Sequence, residues 1–319
     1  MIAAVASLLY LSRADVERLL DVDAMFDALS RALAAYSDGS ASAPPRTAVR
    51  VQHGLLGVMP GYVPGAALES KLVSVFPAND QHGLPSHQGL IALFDEDNGT
   101  PIAVMDGGYI TQIRTGGTAA VAARLLARED ASVLAILGAG AQGWSHLETF
   151  PRVRHFKEIR VASRNRERAH DLAAHHPRAH ATASFEQAVL GADVVACCTD
   201  AREPILRLEW LKPGVHISAV GGTFGSELDA ETVNASRIFV EWRGAVTSAP
   251  PAGAHELQGL DPARVTEVGE VIAGKKPGRQ SPDEITLYKS TGLAVEDAAT
   301  AGLVYERALR EGAGKKLPL

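Results

Sequence analysis

Two patterns of hydrophobic and polar positions divide the chain. Residues 12–39 read as helical. Ser12 and Asp15 stand at capping spacing, and Asp21 to Asp23 supply a cap for a second helix. In that second helix Met25, Phe26, Leu29, Leu33 and Tyr36 fall on one face, and Gly39 is placed to stop it. Pro44 and Pro45 then forbid helix. From Thr47 to Asp106 short apolar runs alternate with Gly, Pro and Asn-Gly, which predicts β-strands. LIALFDEDNGTPIAVMD reads as a hairpin turning at Asn98-Gly99.

The Ala-rich stretch ITQIRTGGTAAVAARLLARED reads as a helix leading into a different pattern. SVLAILGAG, EIRVAS, DVVACC, HISAVGG and RIFVEW are short runs apolar on both faces, most of them separated by helical segments. That alternation predicts βαβ units and a parallel sheet. Gly292 to Arg310 reads as a long amphipathic helix that packs back on the first unit. The expected fold is α/β: a Rossmann doubly wound parallel sheet plus an α+β domain. The boundaries drawn are 1–120 with 292–319 for the α+β domain and 121–291 for the Rossmann domain.

Composition narrows the class without changing this plan. With 319 residues, 46% hydrophobic and 21% charged, the chain is long enough for two ordinary cores. Its net charge of −6 gives no basic footprint for nucleic acid. No apolar run approaches the ~20 residues of a membrane helix. The apolar N-terminus lacks a basic start, so no signal peptide is expected. The only cysteines, Cys197 and Cys198, are adjacent and poorly placed to bridge, so both are expected buried and reduced. These features point to a cytoplasmic protein without membrane or nucleic-acid partners. Eleven histidines form no HExxH or tight His/Cys cluster, so no metal is expected.

The strongest motif is Gly138-Ala139-Gly140-Ala141-Gln142-Gly143, set between an expected strand and an expected helix. Gly138 permits the tight turn, Gly140 lets backbone approach a pyrophosphate, and Gly143 lets helix and strand pack closely. The helix N-terminus adds free N–H groups and a positive dipole end. At the end of the next strand an NAD site usually carries Asp or Glu. This chain has Ser163, Arg164 and Asn165 there, followed by Arg166 and Arg168. An arginine fork suits a 2′-phosphate, which favours NADP(H) over NAD(H).

Three basic residues stand out ahead of this motif. Arg46 follows the double proline, Lys71 sits in the apolar strand ESKLVSVFP, and Arg114 sits in QIRTGG. Each is compatible with an ordinary surface or salt-bridge role. Together they are also compatible with chemistry. Two arginines clamp a carboxylate, and a buried lysine has its pKa lowered toward neutrality.

The chain resembles the ornithine cyclodeaminase/μ-crystallin family over nearly its whole length. The resemblance is carried by Pro45-Arg46, MPGY at 59–62, SKLVSVFP at 70–77, the block from 90 to 127 with RTGGTAA, LAILGAGAQGWSHLETF at 134–150, and LYKSTGLAVEDAATA at 287–301. It implies a homodimer with a Rossmann domain and a separate substrate and dimerisation domain, acting on small amino or imino acids. It places Arg46, Lys71 and Arg114 around the substrate carboxylate, with Lys71 as acid/base. Met59 and Thr223 are implied at the substrate and Thr115 at the cofactor. Cyclodeaminases follow a Gly-Gly pair with a catalytic Asp, and carry a second acid two residues before the MPGY methionine. Here those positions are Thr223, after Gly221-Gly222, and Gly57. Asp229 is a poor substitute, since an ELD in this setting tends to cap the next helix.

The sequence therefore points to an NADP(H)-favouring oxidoreductase acting at the Cα–N bond of a small amino or imino acid. A ketimine such as pyrroline- or piperideine-2-carboxylate is the expected substrate, or alanine formation the expected reaction. The alternatives are ornithine cyclodeaminase and a non-catalytic NADPH- or ligand-binding protein.

Overall fold

The computed structural model describes residues 7–318. The signal-peptide expectation rests partly on residues 1–6, which lie outside the described residues. Described residues up to Arg114 and from Leu293 onward form one compact unit, and Thr115–Gly292 form a second.

In the first unit, β1 (Ser7–Leu11) leads to α1 (Arg13–Leu19). The capping box forms: the Asp15 N–H donates to the Ser12 side chain, and the Asp15 carboxylate accepts from the Ser12 N–H. Asp21 caps α2 (Val22–Asp38), which stops at Gly39 in the left-handed region at φ 87°. Met25, Phe26, Leu29 and Leu33 are buried, as their spacing predicts, and Tyr36 is half-buried. Then β2 (Thr47–Val51), β3 (Gly54–Val63), β4 (Ala67–Val75), β5 (His87–Phe94) and β6 (Pro101–Asp106) form an antiparallel meander. The β5–β6 connection is longer than the expected two-residue turn. Residues 95–100 close it, because the Asp95 carboxylate accepts from the Asp97 and Asn98 N–H groups and only then does Gly99 turn, at φ 74°.

Helix α3 (Gly107–Leu126) follows. The second unit is a parallel sheet. Its strands are β7 (Val133–Leu137), β8 (Glu158–Ala162), β9 (Ala179–Ala181), β10 (Val194–Cys197), β11 (His216–Ala219), β12 (Arg237–Val240), β13 (Val265–Glu267) and β14 (Thr286–Lys289). Its helices are α4 (Ala141–Val153), α5 (Arg166–Ala173), α6 (Phe185–Val189), α7 (Ala230–Ala235), α8 (Gly244–Thr247) and α9 (Val268–Ile272). The strand order is β13-β12-β14-β11-β10-β7-β8-β9. Read from β9 to β14, this is the 3-2-1-4-5-6 order of a dinucleotide-binding fold, whose ligands sit beyond the carboxyl ends of the strands. β14 was not anticipated as a strand, yet it lies between β11 and β12. Its residues TLYK include a threonine and a lysine, which hide an apolar strand pattern.

The first unit is completed by α10 (Ala294–Glu311) and β15 (Lys315–Pro318). Its sheet order is β15-β1-β6-β5-β4-β3-β2. Helix α10 packs on β3 and β4. The approach is close, since a Cβ at Gly61 would lie 2.9 Å from Ala294. The helix departs from the expected amphipathic form. Residues from Ala294 to Gly302 are all buried, Glu296 and Asp297 included. Buried acids in a first turn are favoured by the positive end of the helix dipole, but they also need cationic partners.

Candidate active site and dinucleotide loop

Strand β4 sets the position of Lys71. Side chains alternate across a strand, so Glu69 and Lys71 share one face. Lys71 is in register with Met59 on β3 and Ile91 on β5, and Glu69 with Gly61 and Leu93. Lys71, Glu69 and Met59 are all buried. Lys71 Nζ lies 2.6 Å from Asp297 Oδ2. The other Asp297 oxygen, Oδ1, accepts from Arg114 Nε at 3.0 Å. Arg114 Nη1 donates to Glu296 Oε2 at 2.5 Å. One carboxylate thus joins Lys71 of the sheet to Arg114 of α3, and its helical neighbour takes a second edge of the guanidinium.

Burial sets the protonation states. It pulls the Lys71 pKa down to about 8, although Asp297 opposes the shift. Burial also works against Arg114, but Asp297 and Glu296 outweigh it and raise its pKa. Asp297 is held below the usual carboxylate range because Arg114 and Lys71 overcome its desolvation. Glu69 goes the other way. Burial, then repulsion from Asp297, raises it well above a normal glutamate. Neither of its carboxyl oxygens has a hydrogen-bond partner. The cluster thus sets Lys71 and Arg114 against Asp297 and Glu296, with Glu69 alongside on the Lys71 face.

Of the residues singled out from sequence, the structure brings Lys71 and Arg114 together through Asp297 and places Met59 beside Lys71. Arg46 stands just ahead of β2, half-buried. Thr223 is exposed on the loop after β11, in the second unit. Position 57 is a buried glycine, where an added Cβ would lie 3.4 Å from the Val73 side chain. Asp229 is the N-cap of α7, accepting from the Thr232 N–H, as expected. Sequence reasoning assigned no role to Glu69, Glu296 or Asp297. The last two were visible as the ED of the KSTG-x-x-x-ED block, and Glu69 as a charge two positions from Lys71 in an apolar strand.

The glycine loop fits a dinucleotide position by position. Gly138 has φ 113°, where a side chain is strained, and a Cβ there would lie 2.9 Å from the Cys198 carbonyl carbon. A Cβ at Gly143 would strike the Gly138 carbonyl oxygen. A Cβ at Gly140 would meet nothing within 4 Å, so this glycine leaves open space beside the backbone. Gly140 is also the N-cap of α4 and supplies no side-chain cap. Ala139, Ala141 and Gln142 complete the loop, which leads into a helix end without a side-chain cap.

Beyond β8, Ser163 is half-buried, and exposed Arg164 pairs with exposed Asp200 at 3.0 Å. The Asn165 side chain caps α5 by accepting from the Arg168 N–H. Thr115, in α3, is buried. Both cysteines are buried and unbridged, and burial followed by the Glu227 charge pushes their thiols up. Among the described residues no group of three His, Cys, Asp or Glu is placed to hold a metal. No helix among them is long and apolar enough to cross a membrane.

Comparison with known proteins gives a consistent picture. The Ornithine cyclodeaminase/mu-crystallin family matches residues 7–312. The ketimine reductase mu-crystallin of Mus musculus is 42% identical over 287 residues, covering 87% of this chain and 90% of that one. Thermococcus litoralis Delta(1)-pyrroline-2-carboxylate reductase, in complex with NADH and L-proline, superposes with a TM-score of 0.93 at 35% identity, covering 97% and 100% of the two chains. An archaeal alanine dehydrogenase dimer with bound NAD superposes with a TM-score of 0.89 at 33% identity, covering 98% and 100%.

Proposed function

This chain belongs to the ornithine cyclodeaminase/mu-crystallin family, and on that premise we propose that it is a nicotinamide-dependent oxidoreductase that reduces the C=N bond of a small ketimine. The substrate class is a cyclic imino acid such as pyrroline- or piperideine-2-carboxylate, or the imine of pyruvate and ammonia. The relatives named above act on compounds of this kind. The observation that carries the reading is Lys71 itself: a buried lysine whose pKa of about 8 suits proton exchange near neutral pH.

The bound nicotinamide supplies a hydride to the imine carbon. The protein's own residues do the rest. Arg46 and Arg114 hold the substrate carboxylate. The bonds of Arg114 to Asp297 and Glu296 use Nε and Nη1, and a guanidinium carries five N–H donors, enough to serve a ligand carboxylate as well. Lys71 gives its proton to the imine nitrogen, so hydride and proton together convert C=N to CH–NH. Asp297 keeps Lys71 charged and fixed until transfer, and holding the carboxylate fixes the reacting carbon. Met59 borders Lys71 and shapes the apolar side of the substrate site.

Gly138–Gly143 would hold the cofactor, and Thr115 is the further residue the family resemblance implies there. Supporting NADP(H) over NAD(H), β8 ends without a carboxylate, and Ser163, Arg164 and Asn165 stand where a 2′-phosphate would be held. The two structural relatives named above hold NADH and NAD. A homodimer is supported by one face of the first unit's sheet. Val49, Val51, Leu56, Leu72 and Leu90 share that face by register and are each at least 36% exposed. A contiguous apolar face of this kind calls for a partner, and a second copy fits it.

The test is an absorbance assay of NADPH oxidation with each imine. Turnover that disappears in Lys71→Ala supports the reading, and silence with every imine rejects it. Redox-neutral conversion of ornithine to proline would reassign the chain as a cyclodeaminase. Neither Gly57 nor Thr223 offers the carboxylate that a distal amine would need.

A further inference from the structure

Three loops at the carboxyl ends of the second unit's strands are tied together by buried charge. Glu227 is completely buried. Its Oε1 accepts from the Thr199 N–H at 2.7 Å and the Thr199 hydroxyl at 2.6 Å, just after β10. Its Oε2 accepts from the Gly221 N–H at 2.9 Å, just after β11. The other side of Gly221 is held too: its carbonyl accepts from Lys289 Nζ at 2.8 Å, at the end of β14. Lys289 in turn pairs with buried Glu256 at 3.0 Å. The packing leaves no slack. A Cβ at Gly221 would strike the Thr199 carbonyl oxygen, and one at Gly222, where φ is 82°, would lie 3.1 Å from Lys289 Nζ.

This arrangement serves a particular place in the fold. In the 3-2-1-4-5-6 order the first mononucleotide half is built on β7, β8 and β9, and the other half on β10, β11 and β14. The glycine loop after β7 belongs to the adenosine-diphosphate side. The loops after β10 and β11 belong to the nicotinamide side. Charged hydrogen bonds to buried partners are strong and directional, and they hold a backbone where neutral bonds would let it drift.

We propose that Glu227 is a positioning residue for the nicotinamide half of the dinucleotide, holding the loops at Thr199 and Gly221 in the one spacing that accepts the ring. The inference rests on the dinucleotide reading above. In Glu227→Gln one acceptor oxygen becomes an NH2 group, which must then face an N–H donor at Gly221 or Thr199, so one tie is lost.

The test is binding, measured by titration with NADPH and with 2′-phospho-ADP-ribose, the same molecule without its nicotinamide. Glu227→Gln should weaken NADPH about tenfold while the fragment stays within about twofold, a buried hydrogen bond lost on one half only. Thr199→Val, which removes the hydroxyl bond to Glu227 and the hydroxyl's weaker acceptance from the Ala201 N–H but leaves both Glu227 bonds to backbone N–H groups, should shift NADPH in the same direction by less, and it decides the matter if Glu227→Gln does not fold. Equal losses for both probes, or no loss for either in folded protein, overturn the proposal. Wild-type protein that binds neither these probes nor NADH and ADP-ribose overturns the dinucleotide reading itself, and this inference with it.

Discussion

The Lys71 ammonium and the Asp297 carboxylate meet at 2.6 Å, 226 residues apart in the chain and both shut off from solvent. Removing one member of such a pair leaves a buried charge without its partner. Asp297→Asn should therefore destabilise the fold by roughly 3–5 kcal/mol, because Arg114 loses the same carboxylate. Chemical denaturation of the variant checks this. A loss near zero would mean that water enters the cluster and does the work assigned to Asp297.

The same pair predicts a pH profile. Below a pKa of about 8, Lys71 carries its proton; above it, the proton is gone. Imine reduction needs the proton and should fall as pH rises through about 8. Amino-acid oxidation needs the neutral amine and should rise through the same range. Asp297 is a cause that raises the Lys71 pKa, so any residual activity of Asp297→Asn should show both limbs displaced to lower pH. The measurement is kcat/KM against pH in each direction. Limbs that fail to oppose one another would remove Lys71 from the proton step.

How far the chain could be read in advance depended on the range of each signal. The Ser12–Asp15 box, the Gly39 stop and the Gly138–Gly143 loop are local, set by residues within a few positions of each other, and they formed as expected. Lys71 and Arg114 were picked out as charges in apolar surroundings. What neutralises them was not, because Asp297 and Glu296 arrive on a helix from the far end of the chain and looked like the polar stripe of an amphipathic surface. Glu69 was hidden differently. Alternation puts it on the Lys71 face, but nothing in a strand pattern tells a buried acid from a solvated one. β14 was missed because its run TLYK carries a threonine and a lysine that break an apolar strand pattern.

The outer face of the first unit's sheet gives a prediction about assembly. Leu72 and Leu90 are cross-strand neighbours on that face, 36% and 40% exposed. A charge placed there meets solvent in a monomer and apolar surface in a dimer. Leu72→Glu should leave thermal stability of the isolated subunit nearly unchanged and shift the molar mass from dimer to monomer, as read by light scattering. A dimer that survives the substitution would place the interface elsewhere.

Arg164 tests cofactor choice. Its pairing with Asp200 is fully on the surface, where such pairs contribute little to stability. Arg164→Ala should therefore leave the melting temperature in place. If the guanidinium holds a 2′-phosphate, the same change should weaken NADPH about tenfold or more and leave NADH alone, the loss of one charge-assisted contact. Parallel losses for both cofactors would show that Arg164 acts on the shared part of the molecule.

Two glycines of one loop should fail in different ways. At Gly143 an added methyl collides with the Gly138 carbonyl, so Gly143→Ala must push α4 away from β7 and lower stability. At Gly140 the added methyl meets no protein atom within 4 Å. Gly140→Ala should fold as well as the parent, yet the methyl fills the space a pyrophosphate would take. Its signature is an unchanged melting curve with dinucleotide affinity reduced by an order of magnitude or more, since N–H bonds to a charged phosphate are each strong. The contrast separates packing from binding within four residues. If Gly140→Ala binds NADPH as tightly as the parent, the backbone at Gly140 is not where the pyrophosphate lies, whatever the loop's resemblance to other dinucleotide sites.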